Sequence, residues 1–183
     1  MDSSAPEKGS AWWSRSRGLA KPVYASWVAS LGEPARNSAR ILVWARTADG
    51  YCIGSPARFS YGDDQTSWTH LGWHEIEHGS WNSETAVLSW ARHGGGRGSV
   101  QLTQPGRMPE LFRERIAATI AVEQFVPLAG ERGVTITARR DLDDAGSISW
   151  HSTLTRGLTW HTEGVREAAD EAMARLRAEY DLG

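Results

Sequence analysis

The sequence predicts an α+β protein whose antiparallel strands form a curled sheet or barrel closed by a helix. Six or seven short strand-like segments, separated by turns, lie before residue 105. No helical pattern stands between these segments, which excludes a parallel α/β sheet because its crossovers need helices. A helical pattern follows at 108–120, and a C-terminal hairpin and a long amphipathic helix complete the chain.

The N-terminal half supplies one helix and most of the strands. Residues 22–31 begin with proline and place apolar residues at helical spacing, which predicts a short helix. The segments 41–46 and 51–53 flank Asp49-Gly50, a dipeptide typical of hairpin turns. Further strands are predicted at 57–61, 67–71, 73–78, 86–92 and 99–103.

The C-terminal third carries the second hairpin and the strongest helical pattern. Alternating apolar residues predict strands at 133–139 and 148–154. From Val165 to Tyr180, apolar residues recur at helical spacing with charged residues between them. We therefore divide the chain into a flexible leader (1–17), a barrel with its closing helix (18–125) and a hairpin with a helix packed on the same domain (126–183).

Composition restricts the classes of function. The net charge is −2, and no Lys/Arg stripe suited to phosphate backbones is present, so nucleic acid is not expected as a partner. Cys52 is the only cysteine, which excludes an intrachain disulfide and favours a reducing, cytoplasmic location. No segment has the roughly 20 apolar residues of a membrane span. We expect no membrane insertion and predict no cofactor.

One segment matches a metalloprotease pattern. His74, Glu75 and His78 fit H-E-x-x-H, in which two imidazoles on one helical face bind zinc and the glutamate is the general base. That chemistry needs a helix, whereas glycines bound this segment and its alternation predicts a strand. In a strand the two histidine Cα atoms lie about 13 Å apart, too far for one zinc. A zinc-dependent hydrolase is therefore kept as an alternative, and no metal is predicted.

Two arginine-containing segments are candidate ligand sites. The glycine-rich segment 94–98 joins two predicted strands, so it predicts a hairpin loop, with Arg92 and Arg97 available to an anionic ligand. Arg139 and Arg140 precede three aspartates, and adjacent opposite charges of this kind predict a solvated turn.

Tryptophan is unusually abundant, with ten residues in 183. Several are needed in the core, but a domain of this size does not require all of them inside; the surplus set is Trp12, Trp13, Trp68, Trp73 and Trp160. Tryptophan and arginine are frequent anchors of protein interfaces. The candidate contacts for a protein partner are therefore Trp68, Trp73 and Trp160, together with Arg92 and Arg97.

The segments 105–116 (Pro-Gly-Arg-Met-Pro-Glu-Leu-Phe-Arg-Glu-Arg-Ile), 133–140 (Gly-Val-Thr-Ile-Thr-Ala-Arg-Arg) and 73–81 resemble an uncharacterised actinobacterial protein family. The strand-rich part, 41–122, is similar to a bacterial PH-like barrel closed by a helix. That resemblance implies an interaction platform for lipids, peptides or proteins, and it transfers no active-site residues.

These observations favour a non-enzymatic protein-interaction or scaffolding module that binds a protein partner or a second copy of itself. The zinc-dependent hydrolase is the alternative from another class of function. An anionic-ligand binder that uses the 92–98 loop is the second alternative.

Overall fold

A computed structural model describes residues 17–33, 35–36, 39–65, 67–143 and 147–180. The predicted leader, apart from Arg17, lies outside the described residues. The helices are α1 (Lys21–Ser30), α2 (Met108–Ala118) and α3 (Val165–Tyr180), with a 3₁₀ turn at Trp73–Glu75. The first sheet contains β1 (Val43–Thr47), β2 (Tyr51–Gly54), β3 (Arg58–Gly62), β4 (Trp68–Gly72), β5 (Ile76–Asn82), β6 (Val87–Arg92) and β7 (Arg97–Gln104). The second contains β8 (Ile120–Ala129), β9 (Arg132–Arg140) and β10 (Ile148–Leu154).

The first sheet is antiparallel and strongly curled, in the order β4-β3-β2-β1-β7-β6-β5. The predicted hairpin is confirmed as β1–β2, where the N–H of Thr47 donates to the carbonyl of Gly50 (2.9 Å). The α+β class and the curled antiparallel sheet predicted from the sequence are therefore correct. No helix among the described residues is long and apolar enough to cross a membrane.

Helix α2 packs against the inner face of this sheet, as predicted for a closing helix. Phe112 of α2 meets Phe59 of β3 edge to face, with ring centroids 5.0 Å apart, and both side chains are buried. Trp73 and Trp90 pack around the same two rings. Gly79 makes this approach possible, since a Cβ there would lie 2.5 Å from the Phe112 ring.

Helix α1 covers the outer face of β2 and β3. Its Trp27 is fully buried and packs with Ile41 and Ile53. Because Ile53 and Cys52 alternate along β2, one contributes to this outer cluster and the other to the inner core. Both faces of β2 are therefore buried.

The second sheet has the order β10-β9-β8 and carries α3 on one face. Ala169, Ala172 and Leu176 of α3 pack on Val134 and Ile136 of β9. The predicted hairpin and final helix are thus present. Strand β8 was not predicted. The boundary predicted between the barrel (18–125) and the C-terminal part (126–183) falls within this strand.

Two local predictions were wrong. Residues 73–75 form a 3₁₀ turn rather than the start of a strand, because the Glu75 carboxylate accepts the N–H of Gly72 (3.0 Å) and tightens the chain there. The helix predicted to reach residue 120 ends at Ala118. The Thr119 hydroxyl donates to the carbonyl of Ile116 (2.7 Å), and β8 begins at the next residue.

Candidate functional site

The three candidate tryptophans occupy different places in the fold. Trp73 is completely buried in the core and its indole N–H donates to the carbonyl of Ser55 (3.0 Å). Trp68 is half-buried and donates to the hydroxyl of Ser26 on α1 (3.1 Å). Trp160 is half-buried beside α3, under the guanidinium of Arg166. They form no common surface, and Trp73 is inaccessible to a partner in this fold.

The H-E-x-x-H residues do not share a helical face. His74 lies in the 3₁₀ turn with Nδ1 3.4 Å from the Asp141 carboxylate, whereas His78 is exposed on β5. Glu75 accepts a hydrogen bond from Arg92. Among the described residues, no group of three or more His, Cys, Asp or Glu side chains could hold a metal ion. The hydrolase alternative thus lacks the helix that its chemistry requires.

The glycine-rich loop joins β6 to β7, as predicted. Gly94, Gly95 and Gly96 all have positive φ angles, which glycine adopts at little cost. Arg92 forms an ion pair with Glu75. Arg97 instead lies in one row of the sheet with Ala91 and His78, on the outer face. An open pocket of about 470 Å³ lies over this row, lined also by Ser80, Ser89 and Ser99.

A second pocket lies beside β5, where this strand forms an edge of the first sheet. Among the described strands only β6 pairs with β5, and alternate residues of such an edge direct N–H and C=O groups away from the sheet. The pocket has a volume of about 330 Å³ and is bounded by β5, β6 and the start of α2. Its lining consists of Gly79, Ser80, Trp81, Leu88, Pro109, Glu110, Phe112 and Arg113. We call it the β5–α2 groove.

A hydrogen-bonded Ser–His–Ser chain joins α1 to the first sheet. Trp27 donates its indole N–H to the Ser60 hydroxyl (3.1 Å), and Ser60 Oγ lies 2.8 Å from His70 Nδ1. On the other side of the ring, His70 Nε2 lies 3.0 Å from Ser30 Oγ, which itself donates to the carbonyl of Trp27 (2.6 Å). The series of hydrogen bonds therefore begins at the Trp27 indole and ends at the Trp27 carbonyl.

Two features separate these hydrogen bonds from a catalytic triad: their direction at Ser30 and the burial of Ser60. Since the Ser30 proton goes to the Trp27 carbonyl, His70 Nε2 must donate to Ser30, and the neutral ring then accepts from Ser60 at Nδ1. Burial, followed by the charge of Arg58, lowers the pKa of His70, which favours this neutral form. Because the ring donates to Ser30, it cannot act as a base towards that serine. Ser60, whose proton the ring accepts, is completely buried and cannot reach a substrate. We therefore assign a structural role to the Ser–His–Ser chain.

Arg139 connects the two sheets and α2. Although the sequence predicted a solvated turn, only 4% of Arg139 is exposed. Its guanidinium donates to the carbonyl of Ile116 (3.2 Å), the hydroxyl of Thr119 (2.8 Å) and the carbonyl of Glu77 on β5 (3.3 Å). Burial lowers its pKa, against the opposing effects of Glu123 and Glu77. The residue is a buried cation that ties β9 to β5 and to the end of α2.

Two histidines stack at the same contact between the sheets. His93, from the β6–β7 turn, and His151, on β10, have ring centroids 3.7 Å apart and an angle of 10° between their planes. Burial is the largest cause that lowers the pKa of His93, to about 4, and it also lowers that of His151. No partner of His93 Nε2, a buried atom, was found among the described residues.

Sequence reasoning missed the β5–α2 groove, the Ser–His–Ser chain and this contact between the sheets. All three combine residues from distant segments, for example His70 with Ser30 and Arg139 with Glu77. The available signals were weak: a glycine and a tryptophan within β5, at Gly79 and Trp81, and a proline at the start of α2.

Comparisons with known proteins give no relative for this chain. No family model matches it, and neither a curated protein nor a solved structure was found to match it.

Proposed function

We propose that this chain is a PH-like, non-enzymatic interaction module of the cytoplasm that binds an extended peptide segment of a partner protein in the β5–α2 groove. The strand order and the packing of α2 on the curled sheet support a PH-like barrel. The burial of Cys52, which raises the pKa of its thiol to about 12, fits an unreactive cysteine rather than a catalytic one.

The observation that carries the proposal is an edge strand beside a pocket that is lined in part by apolar side chains. A peptide added to an edge gains main-chain hydrogen bonds, and pockets for alternate side chains give specificity. The second half of β5, from Gly79 to Asn82, supplies the edge, and Trp81, Leu88 and Phe112 supply the apolar lining. Four residues of strand span about 13 Å, enough to pair a short peptide segment.

Two other edge strands, β4 and β8, suit this role less well. The edge strand β4 is hydrogen-bonded to α1 through His70 and Ser30 and through Trp68 and Ser26. The edge strand β8 contains Pro127, which lacks the N–H needed for a continuous ladder.

The lining predicts the chemistry of the peptide. One apolar side chain of the peptide would enter between Trp81 and Phe112. Its neighbours in the peptide would contact Glu110 and Arg113 at the rim, which suit a positively and a negatively charged residue respectively. We therefore expect an extended segment with one large apolar anchor and no strong net charge.

A selection from a random 12-residue peptide library tests the proposal on the full chain. Filling the groove with Arg113→Trp is expected to reduce binding of the selected peptides at least about tenfold. Glu114→Trp is the matched control, because Glu114 is the neighbouring exposed residue on α2 and does not line the groove. Peptides that bind all three proteins equally would exclude the groove as the site.

A second copy of the chain could supply the extended segment instead of a peptide. In that case the purified protein would form dimers at high concentration, and Arg113→Trp, but not Glu114→Trp, would abolish them. Sedimentation velocity distinguishes this outcome.

The pocket over His78 and Arg97 supports a second candidate function, the binding of a small anion. The two side chains lie in one row on the outer face of the sheet, and no ion pair of Arg97 occurs among the described residues. Salt should weaken such binding.

A further inference from the structure

We propose that the contact between the two sheets is an acid-sensitive latch: the second sheet stays docked on β5 while His93 and His151 are uncharged, and it separates when they take up protons. The two rings come from different sheets and stack face to face at 3.7 Å. Stacking of this kind suits neutral imidazoles, and two imidazolium rings at this distance repel each other.

Further positive charge surrounds the pair. Arg139 of β9 carries its buried charge at the same contact, and it disfavours the protonated form of both histidines. His74, from the 3₁₀ turn, adds to this effect on both rings. Protonation of the pair would therefore place several cations together in a contact that excludes much of the solvent.

The acidic groups at the contact are already engaged. Glu75 pairs with Arg92, and Asp141 faces His74. Glu77 of β5 accepts the hydroxyl of Thr153 (2.8 Å) and, like Glu123 of β8, interacts with the charge of Arg139. Glu77 also favours the protonated form of His151, but burial and the cations outweigh it.

The direction of the pH dependence follows from these shifts. A free histidine has a pKa of about 6.5, so below that value the separated state binds protons that the docked state does not. Docking is therefore strongest above pH 6.5 and weakens as the pH falls towards about 4, the pKa of docked His93. Allowing for the partial exposure of His93, we expect the docking equilibrium to fall about tenfold between pH 7 and pH 5.

Amide hydrogen exchange measured by NMR on the full chain tests the latch. Protection factors, corrected for the intrinsic effect of pH, should fall about tenfold in β5, β9 and β10 between pH 7 and pH 5. Those of β1 and β2 should stay constant, because these strands pack on their neighbouring strands, on α1 and on α2. Titration of the histidine resonances in the same sample should give pKa values below 6.5 for His93 and His151.

A non-titrating pair provides the control. In the double variant His93→Phe/His151→Phe, two aromatic rings replace the imidazoles, so the protection of β9 and β10 should no longer depend on pH over this range. Should this variant fail to fold, His151→Gln removes one titrating ring and can keep a hydrogen bond to Ser149. Equal loss of protection in all strands, no loss at all, or the same pH dependence in the variants would overturn the proposal.

Discussion

Replacing Arg139 by alanine is expected to lower the free energy of unfolding by about 3 kcal/mol. The guanidinium makes three hydrogen bonds, to Ile116, Thr119 and Glu77, and each bond to a charged group is worth about 1.5–3 kcal/mol. The cost of burying the cation, which is recovered when it is removed, offsets part of that sum. Thr119 continues to satisfy the Ile116 carbonyl, so the Glu77 carbonyl is the group that loses a partner.

Urea unfolding followed by tryptophan fluorescence measures this loss. With an m-value of about 2 kcal/mol per molar urea, a change of 3 kcal/mol lowers the midpoint by about 1.5 M. Arg140→Ala is the matched control, because Arg140 is the next residue of β9 and is exposed, and its variant should stay within about 0.5 kcal/mol of the original protein. If the free energy of unfolding of Arg139→Ala lay within about 1 kcal/mol of that of the control, the assignment of Arg139 as the residue that links the two sheets would be refuted.

Two further predictions concern the candidate sites. Nitrogen-15 NMR should show neutral His70 with its proton on Nε2, and His70→Ala should cost about 2 kcal/mol of stability; a proton on Nδ1 would contradict the structural interpretation of the Ser–His–Ser chain. Inorganic phosphate should shift the resonances of Arg97 and His78, and Arg97→Ala should remove the effect. Shifts that are unchanged in Arg97→Ala would exclude the anion site.

Much of the fold could be predicted because local patterns determine it. The apolar spacing of α3 and the hairpin around Asp49-Gly50 each need only a few neighbouring residues to be recognised. Strand β8 was not predicted; it contains Pro127, a residue that is unfavourable within a sheet but is tolerated in an edge strand. The 3₁₀ turn at Trp73–Glu75 was missed because a side-chain hydrogen bond to Gly72 determines it.

The sites were harder to predict because they depend on strand order and register. The sequence indicates that β5 is a strand, but its position at an edge follows only from the pairing of β7 with β1. Similarly, Arg139 and Arg140 are equivalent in the sequence, and the alternation of β9 buries one and exposes the other. The surplus of tryptophan can be counted in the sequence, but only the folded structure shows that Trp73 is buried in the core.

Solution NMR of the full chain with one peptide from the library tests directly whether the β5–α2 groove is the binding site. The largest shifts are expected at Gly79–Asn82 and at the start of α2, with contacts between peptide and β5 protons at the spacing of paired strands. A peptide that binds with its shifts confined to β8 or to the row of His78 and Arg97 would contradict the proposed function.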